Sequence, residues 1–356
     1  MRLRTGFLLA WTAVLTVPRC LIPAPAEAFH EGGSATCATC HIMHASDEGQ
    51  VVMVDTGPLL LAASSSDLCL ACHDQESVFG PAPAAPPPER GGGNFAFLLE
   101  SNINDAPDGA SDPLAGEAAG HSIISLDRGT VEDTRWHEAP GGSFPSRLLT
   151  CTSCHDPHGN SNFRLLYGEG PVQGGVAEFM NPAPLAVGLD IADRQAVESD
   201  ARHTAYLGGM SAWCANCHGR YHEMEAAPGF THPTDVPLGN QEITIYNRYN
   251  GDADPLGGSQ GTAYLKDVPF ETPGGSPTST SGPAAGSRIM CLSCHRAHAS
   301  SAPAATRWDM RVARLEDDGA VSGSHPIPNP YPGPEQGPLC RKCHPKSPDN
   351  RYIYTR

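Results

Sequence analysis

The sequence predicts a chain of mostly irregular coil, with short α-helices and few β-strands, wrapped around bound groups rather than around an aliphatic core. Three observations point that way. Of 356 residues, 38 are glycine and 34 proline, while aromatic residues make up only 6%; so much glycine and proline approaches the composition of irregular chains. There are 13 cysteines, and all but Cys20 fall into one spacing repeated six times: "CATCH" (37–41), "CLACH" (69–73), "CTSCH" (151–155), "CANCH" (214–218), "CLSCH" (291–295) and "CRKCH" (340–344). The 16 histidines outnumber those six motif positions by enough to supply each motif with a second partner.

At the N-terminus, Arg2 and Arg4 precede the apolar run "GFLLAWTAVLTV" and then "APAEA", in which Ala26 and Ala28 bracket Glu27. That order is expected of a secretory signal, residues 1–28, cleaved after Ala28. Pro18, Arg19 and Pro23 cut the run well short of the ~20 apolar residues a membrane span needs. Arg19 directly before Cys20 does not suit lipid attachment, so Cys20 is read as part of the signal. The formal net charge is −16, and losing three arginines and one glutamate with the signal makes it two units more negative. Such an acidic surface disfavours nucleic acid and anionic lipid as partners and keeps the chain soluble.

A Cys-x-x-Cys-His run is the attachment pattern of c-type haem. Two thiols three positions apart each form a thioether to one vinyl group of the same porphyrin, and the adjoining histidine lies under the iron as its proximal ligand. The expected cofactors are six covalently bound haem c, held by Cys37 and Cys40, Cys69 and Cys72, Cys151 and Cys154, Cys214 and Cys217, Cys291 and Cys294, and Cys340 and Cys343. The proximal ligands are His41, His73, His155, His218, His295 and His344. Zinc would combine the cysteines in fours and would not require a histidine after every pair; sixfold repetition argues equally against redox-active disulfides. Porphyrin faces then replace the missing core: a multihaem cytochrome c.

Ten histidines remain: His30, His44, His121, His137, His158, His203, His222, His232, His298 and His325. Two imidazoles per iron favour low potential and electron transfer over substrate chemistry. "CHIMH", "CHDPH" and "CHRAH" place His44, His158 and His298 three residues beyond a proximal histidine. In a turn of chain such residues share a side at ~5–6 Å, so the second histidine must serve a neighbouring haem and thereby draws two macrocycles together. His121, His232 and His325 sit before Ser or Pro in loop contexts, and His30 opens the mature chain. His137 reads as surface loop, and His203 and His222 as ligands or as donors to ligands.

The motifs alternate in type, those at 37, 151 and 291 carrying the extra histidine, so residues 29–356 read as a single hexahaem domain built from three two-haem units. Proximal histidines are 32 to 82 residues apart; the repeat is one of ligands, not of loop length. "PAPAAPPPERGGG" (81–93) and "TPGGSPTSTSGPAAGS" (272–287) read as exposed spacers. Helix is expected at the haem motifs and around "RWDMRVARLEDD" (307–318), and strand around "QEITIYNRY" (241–249).

The runs "FHEGGSATCATCHIMHAS", "TGPLLLAASSSDLCLACH", "APGGSFPSRLLTCTSCHDPHG", "MSAWCANCH", "CLSCHRAHAS" and "LCRKCHPK" together resemble the hexahaem outer-surface cytochromes of metal-reducing bacteria, a nanowire-forming multihaem family. The likeness covers all six motifs in order. It implies bis-histidine coordination throughout, a continuous chain of stacked haems, and head-to-tail polymerisation into extracellular filaments. It also implies that His44 leaves its own subunit to ligate the fifth haem, at Cys291 and Cys294, of a neighbour. His30, His121, His158, His232 and His298 fall on family histidines and complete the expected distal set.

The function expected is therefore electron transfer in a secreted, cell-surface or extracellular filament, from outer-membrane electron conduits to extracellular electron acceptors. A monomeric periplasmic or surface shuttle is the alternative. A multihaem reductase of a small anion ranks below both, because every motif keeps its histidine and distal candidates exceed irons.

Overall fold

A computed structural model describes residues 30, 36–42, 46–47, 50–51, 59–73, 78–79, 91–102, 118–172, 175–189, 198–222, 232–310, 312–318 and 327–344. The signal segment, His44, His325 and the proline-rich stretch 81–90 lie outside them. Regular structure is sparse: helices α1 (Ser65–His73), α2 (Met210–His222) and α3 (Asn240–Arg248), and three two-stranded antiparallel pairs. These pairs are β1 (Ser46–Asp47) with β2 (Gln50–Val51), β3 (Gly170–Pro171) with β4 (Glu178–Phe179), and β5 (Leu185–Val187) with β6 (Ala205–Gly208). Short 3-10 turns and coil make up most of the rest. No described helix is long and apolar enough to cross a membrane.

The buried apolar side chains form four small clusters, and each borders haem-motif cysteines. Leu70, Phe95, Phe97 and Ile123 pack beside Cys151; Tyr206, Met210, Met290 and Leu292 beside Cys214; Tyr167, Val172 and Phe179 beside Cys217. The largest gathers Tyr246, Tyr249, Tyr264, Phe270, Trp308 and Tyr331 against Cys294, Cys340 and Cys343. The scarce aromatic residues are thus spent at the attachment sites.

Three local expectations are corrected. Residues 241–248 do not form strand but lie in α3, which Tyr249 ends, because Tyr246, Asn247 and Tyr249 are the positions buried, a helical spacing. Tyr246 OH donates to Val268 O at 2.7 Å, so tertiary burial overrides the alternation of Ile243 and Ile245. The described residues of 307–318, expected as helix, are irregular apart from the turn Leu315–Asp317. Here the buried Asp318 carboxylate accepts the N–H groups of Asp309 (2.6 Å) and Ile327 (2.9 Å), competing with helical hydrogen bonds. The spacers are not wholly exposed either: Gly282, Pro283 and Ser287 are buried, and Gly93 is sealed against the fifth motif.

At Gly93 φ is +89°, and a Cβ would strike Ala299 O. The chain there runs in contact with the segment carrying His298, whose N–H donates to Gly92 O at 2.7 Å while Asn94 N–H donates to Ala299 O at 2.8 Å. Gly93→Ala should therefore lower the thermal midpoint, since a side chain at positive φ alone costs about 1–2 kcal/mol. An unchanged melting curve followed at the haem absorbance would contradict this packing.

Candidate haem centres

The three motifs with an extra histidine share one backbone device. Each opens with a 3-10 turn, Cys37–Thr39, Cys151–Ser153 or Cys291–Ser293. In each, the hydroxyl just before the second cysteine accepts the N–H of the residue before the first: Thr36 to Thr39 at 3.2 Å, Thr150 to Ser153 at 3.0 Å and Met290 to Ser293 at 3.2 Å. "CATCH", "CTSCH" and "CLSCH" have a hydroxyl residue at that position, and the other three motifs do not.

A second strand of chain then clamps the proximal histidine. At the third site His155 Nδ1 meets Arg164 O at 2.8 Å, Asp156 N–H donates to Leu165 O at 2.8 Å and Tyr167 N–H to Cys154 O at 3.0 Å. At the fifth, His295 Nδ1 meets Ala304 O at 2.9 Å, Arg296 N–H donates to Ala305 O at 2.6 Å and Arg307 N–H to Cys294 O at 2.8 Å. The first site uses Leu59 O for both His41 Nδ1 (3.1 Å) and Ile42 N–H (3.0 Å), and Leu61 N–H donates to Cys40 O at 3.0 Å. Outside these clamps, His218 Nδ1 meets Pro140 O at 2.7 Å. A proximal imidazole that gives its Nδ1 proton to a carbonyl is fixed in tautomer and presents Nε2 as the ligand.

The clamps at the third and fifth sites are strained in the same way. Arg164 and Leu165 (φ 54° and 57°) and Ala304 and Ala305 (φ 58° and 55°) occupy the left-handed region without being glycine. Each pair turns its carbonyl toward the imidazole. Sequence reasoning missed these residues because a backbone acceptor leaves no residue-type signature.

The second and fourth motifs lie on helices, Cys69, Cys72 and His73 in α1 and Cys214, Cys217 and His218 in α2. Each helix docks on the 3-10 turn of the following motif: Cys151 N–H donates to Ser66 Oγ at 3.2 Å and Cys291 N–H to Ser211 Oγ at 3.1 Å. Cys69 thereby lies beside Cys151, and Cys214 beside Cys291, so consecutive attachment sites are adjacent in space. No two motif cysteines are joined in a disulfide, so each pair is available to attach haem. In the sixth motif Lys342 is buried, its Nζ 4.7 Å from the Tyr246 ring centroid and 3.1 Å from Tyr249 O; burial lowers it to about 8.

Five of the six proximal imidazoles face a second imidazole. Ring centroids are 6.3 Å apart for His41 and His158, 6.1 Å for His73 and His30, 6.5 Å for His155 and His298, 5.9 Å for His218 and His121, and 6.0 Å for His344 and His232. Two imidazoles on opposite sides of one metal, each bound at about 2 Å with the ring centre roughly 1 Å further, give about 6 Å between centroids. The donor set and its spacing therefore fit haem iron. Among the described residues no cluster of three or more His, Cys, Asp or Glu could hold a metal ion on its own.

His295 is the exception: among the described residues no second imidazole lies against it. His203 is buried and stacks on Tyr264 at 3.6 Å, His222 Nε2 lies 3.7 Å from Asp235, and His137 is 77% exposed beside Glu132. None of these three faces a proximal ring.

Residues 28–78 match the doubled CXXCH motif family. Over 92% of its length, the chain is 31% identical to the C-type cytochrome OmcS of Geobacter sulfurreducens, of which it covers 96%. The chain belongs to the OmcS family of c-type cytochromes. It carries covalently bound c-type haem and is a multihaem cytochrome of mostly irregular coil. Two solved structures agree: cryo-EM of the OmcS nanowires from Geobacter sulfurreducens (TM-score 0.72, 28% identity, 90% of this chain and 100% of that one) and the Outer Membrane Cytochrome S filament (0.69, 28%, 88% and 99%).

Desolvation, the largest cause, lowers His121 to about 4 and His298 to about 3, so both rings are neutral at pH 7. The unfolded chain takes up these protons from pH 6.5 downward and the folded chain does not, so stability is full above 6.5 and falls as pH drops towards 4. Thermal midpoints measured from pH 7 to pH 4 should decline across that window. The paired rings also differ in orientation, at 10°, 21° and 34° for His41, His73 and His218, against 60° and 72° for His155 and His344. Near-perpendicular imidazoles leave the iron d orbitals nearly degenerate. Ferric EPR should therefore contain both strongly anisotropic and rhombic low-spin signals, roughly two of the five paired sites giving the former; a single signal type would contradict these angles.

Proposed function

We propose that the chain conducts electrons along six bis-histidine c-type haems within an extracellular head-to-tail filament of identical subunits, each subunit's His44 completing the fifth site of a neighbour. Haem supplies a one-electron ferric/ferrous couple whose potential is set by its axial ligands and surroundings.

The observation that carries this reading is a rule in the five imidazole pairs. The extra histidine of the third motif, His158, faces His41 of the first, and that of the fifth, His298, faces His155 of the third. Each serves the site two motifs earlier. His30, His121 and His232, which precede the first, third and fifth motifs, face the second, fourth and sixth proximal histidines. Under this rule His44 has no earlier site in its own chain, and His295 has no later donor. One step of the same translation joins them across two subunits, and a head-to-tail contact of this kind generates an open helical fibre. The nanowire and filament forms of the OmcS relatives support the same assembly.

Imidazole on both sides of the iron favours electron transfer over substrate binding. Export by a signal in residues 1–28 would carry the chain out of the cytoplasm, and the nanowire form of the relatives supports a filament outside the cell, between outer-membrane electron conduits and extracellular electron acceptors, with an acidic surface that keeps it in solution. A shuttle would bind His44 within its own subunit. His44→Ala should abolish filaments in electron micrographs of the shed protein, leave six haems per chain, and create one iron per chain that takes up carbon monoxide. Filaments of wild-type length and number from this variant would overturn the assembly, and fewer than six haems in the wild-type protein would overturn the haem count.

A further inference from the structure

The three clamped sites are built alike, so their differences read as an internal comparison. The residue donating its N–H to the second cysteine's carbonyl is Leu61 at the first site, Tyr167 at the third and Arg307 at the fifth. The residue after the proximal histidine is Ile42, Asp156 and Arg296 in the same order. The fifth site alone has a cation at both positions.

Both cations are buried, Arg307 at 2% exposure and Arg296 at 7%. Arg307 Nε donates to Leu292 O, between the two cysteines, at 2.7 Å, and Nη1 to Lys266 O at 3.1 Å. Its field reaches both Cys294 and His295. The carboxylates in its surroundings are Glu198 and Asp267. Asp267 is engaged by Lys266 Nζ at 2.7 Å and Glu198 by the Thr204 N–H at 3.0 Å. At the third site the charges are an exposed Arg164 and Asp156, which oppose each other near water. A buried guanidinium cannot lose its proton, and a fixed positive charge in a medium of low dielectric favours the less positive, ferrous iron.

We propose that Arg307, assisted by Arg296, raises the reduction potential of the haem carried by Cys291 and Cys294 above that of its two sister sites, making the subunit junction the place where an electron comes to rest. This rests on the haem assignment and assembly proposed above. The step concerned is the gain of one electron by a ferric iron as a neighbouring ferrous haem loses one, with no bond broken and no proton moved.

The test is a spectroelectrochemical titration of the haem-loaded protein. In Arg307→Gln about one-sixth of the reductive absorbance change should move to lower potential. A tenfold fall in that site's reduction equilibrium is about 59 mV for one electron. Arg307→Lys, which keeps the charge, should titrate like the wild type, and the haem count and low-spin spectrum should be unchanged in both. A Gln variant that superimposes on the wild type overturns the proposal, as does a Lys variant shifted as far as Gln. If Arg307→Gln does not accumulate, Arg296→Gln should shift in the same direction, and no shift there also overturns it. The titration reads a site attached within one chain. A wild-type protein with six haems but no filaments would therefore overturn the assembly while leaving this comparison intact.

Discussion

An imidazole that donates from Nδ1 to a backbone carbonyl can offer its Nε2 lone pair in only one direction, and this fold sets a second imidazole against His41, His155 and His218, each anchored in that way. His41 and His158 are 117 residues apart in sequence and His155 and His298 are 143 apart, yet each pair of rings faces across about 6 Å. Coordination to a common iron would close loops whose entropy four small apolar clusters are poorly placed to offset. The clusters instead pack against the attachment cysteines. The coil is free to vary in length because the ligand pairs, not the connections, define where the chain passes.

This explains what the sequence revealed and what it concealed. Residue type carries the signal at a ligand, so the Cys-x-x-Cys-His runs were readable as candidates, as were His30, His121, His158, His232 and His298, whose rings face proximal ones. Which histidine faces which was not readable from spacing, since the answer lies in long-range packing of α1 on Cys151–Ser153 and of α2 on Cys291–Ser293. His203 and His222 show the limit from the other side: their residue type suits a ligand, but one is stacked on Tyr264 and the other faces Asp235. The carbonyls of Leu59, Arg164, Ala304 and Pro140 had no signature at all. Neither did the left-handed pairs Arg164–Leu165 and Ala304–Ala305, where tertiary constraint holds ordinary residues in a conformation that favours glycine. Asn240–Arg248 and residues 307–318 went the opposite way from their local pattern for the same reason: Tyr246 and Asp318 are fixed by distant partners.

The spatial grouping also differs from the grouping along the chain. Alternation of motif types suggests pairs one–two, three–four and five–six, whereas direct packing joins the helix of the second motif to the third and that of the fourth to the fifth, each through a serine hydroxyl. The rings of His158 and His298 then reach back two motifs, to His41 and His155. Two different offsets, one for packing and two for coordination, interlock neighbouring units so that no pair of sites is separable from the next. That is the property a continuous conductor requires, because a loose joint anywhere would lengthen one electron-transfer distance and limit the whole.

A one-dimensional array built by translation has a defect at each end, and how a chain treats its ends decides whether it is a monomer or a fibre. Repeat proteins that remain single cover their termini with atypical units. Here the first motif keeps its surplus histidine in "CHIMH", and the fifth keeps its clamp, with His295 held by Ala304 O in the same geometry as His155 by Arg164 O. Neither end is closed off by a change of residue type. What does change at the fifth site is charge: Asp156 and Tyr167 become Arg296 and Arg307, and both are buried in a chain that is otherwise strongly acidic. Two desolvated guanidiniums are costly wherever they stand. Their placement at the one proximal histidine without a described partner indicates that this site is set apart electrostatically from its two sisters.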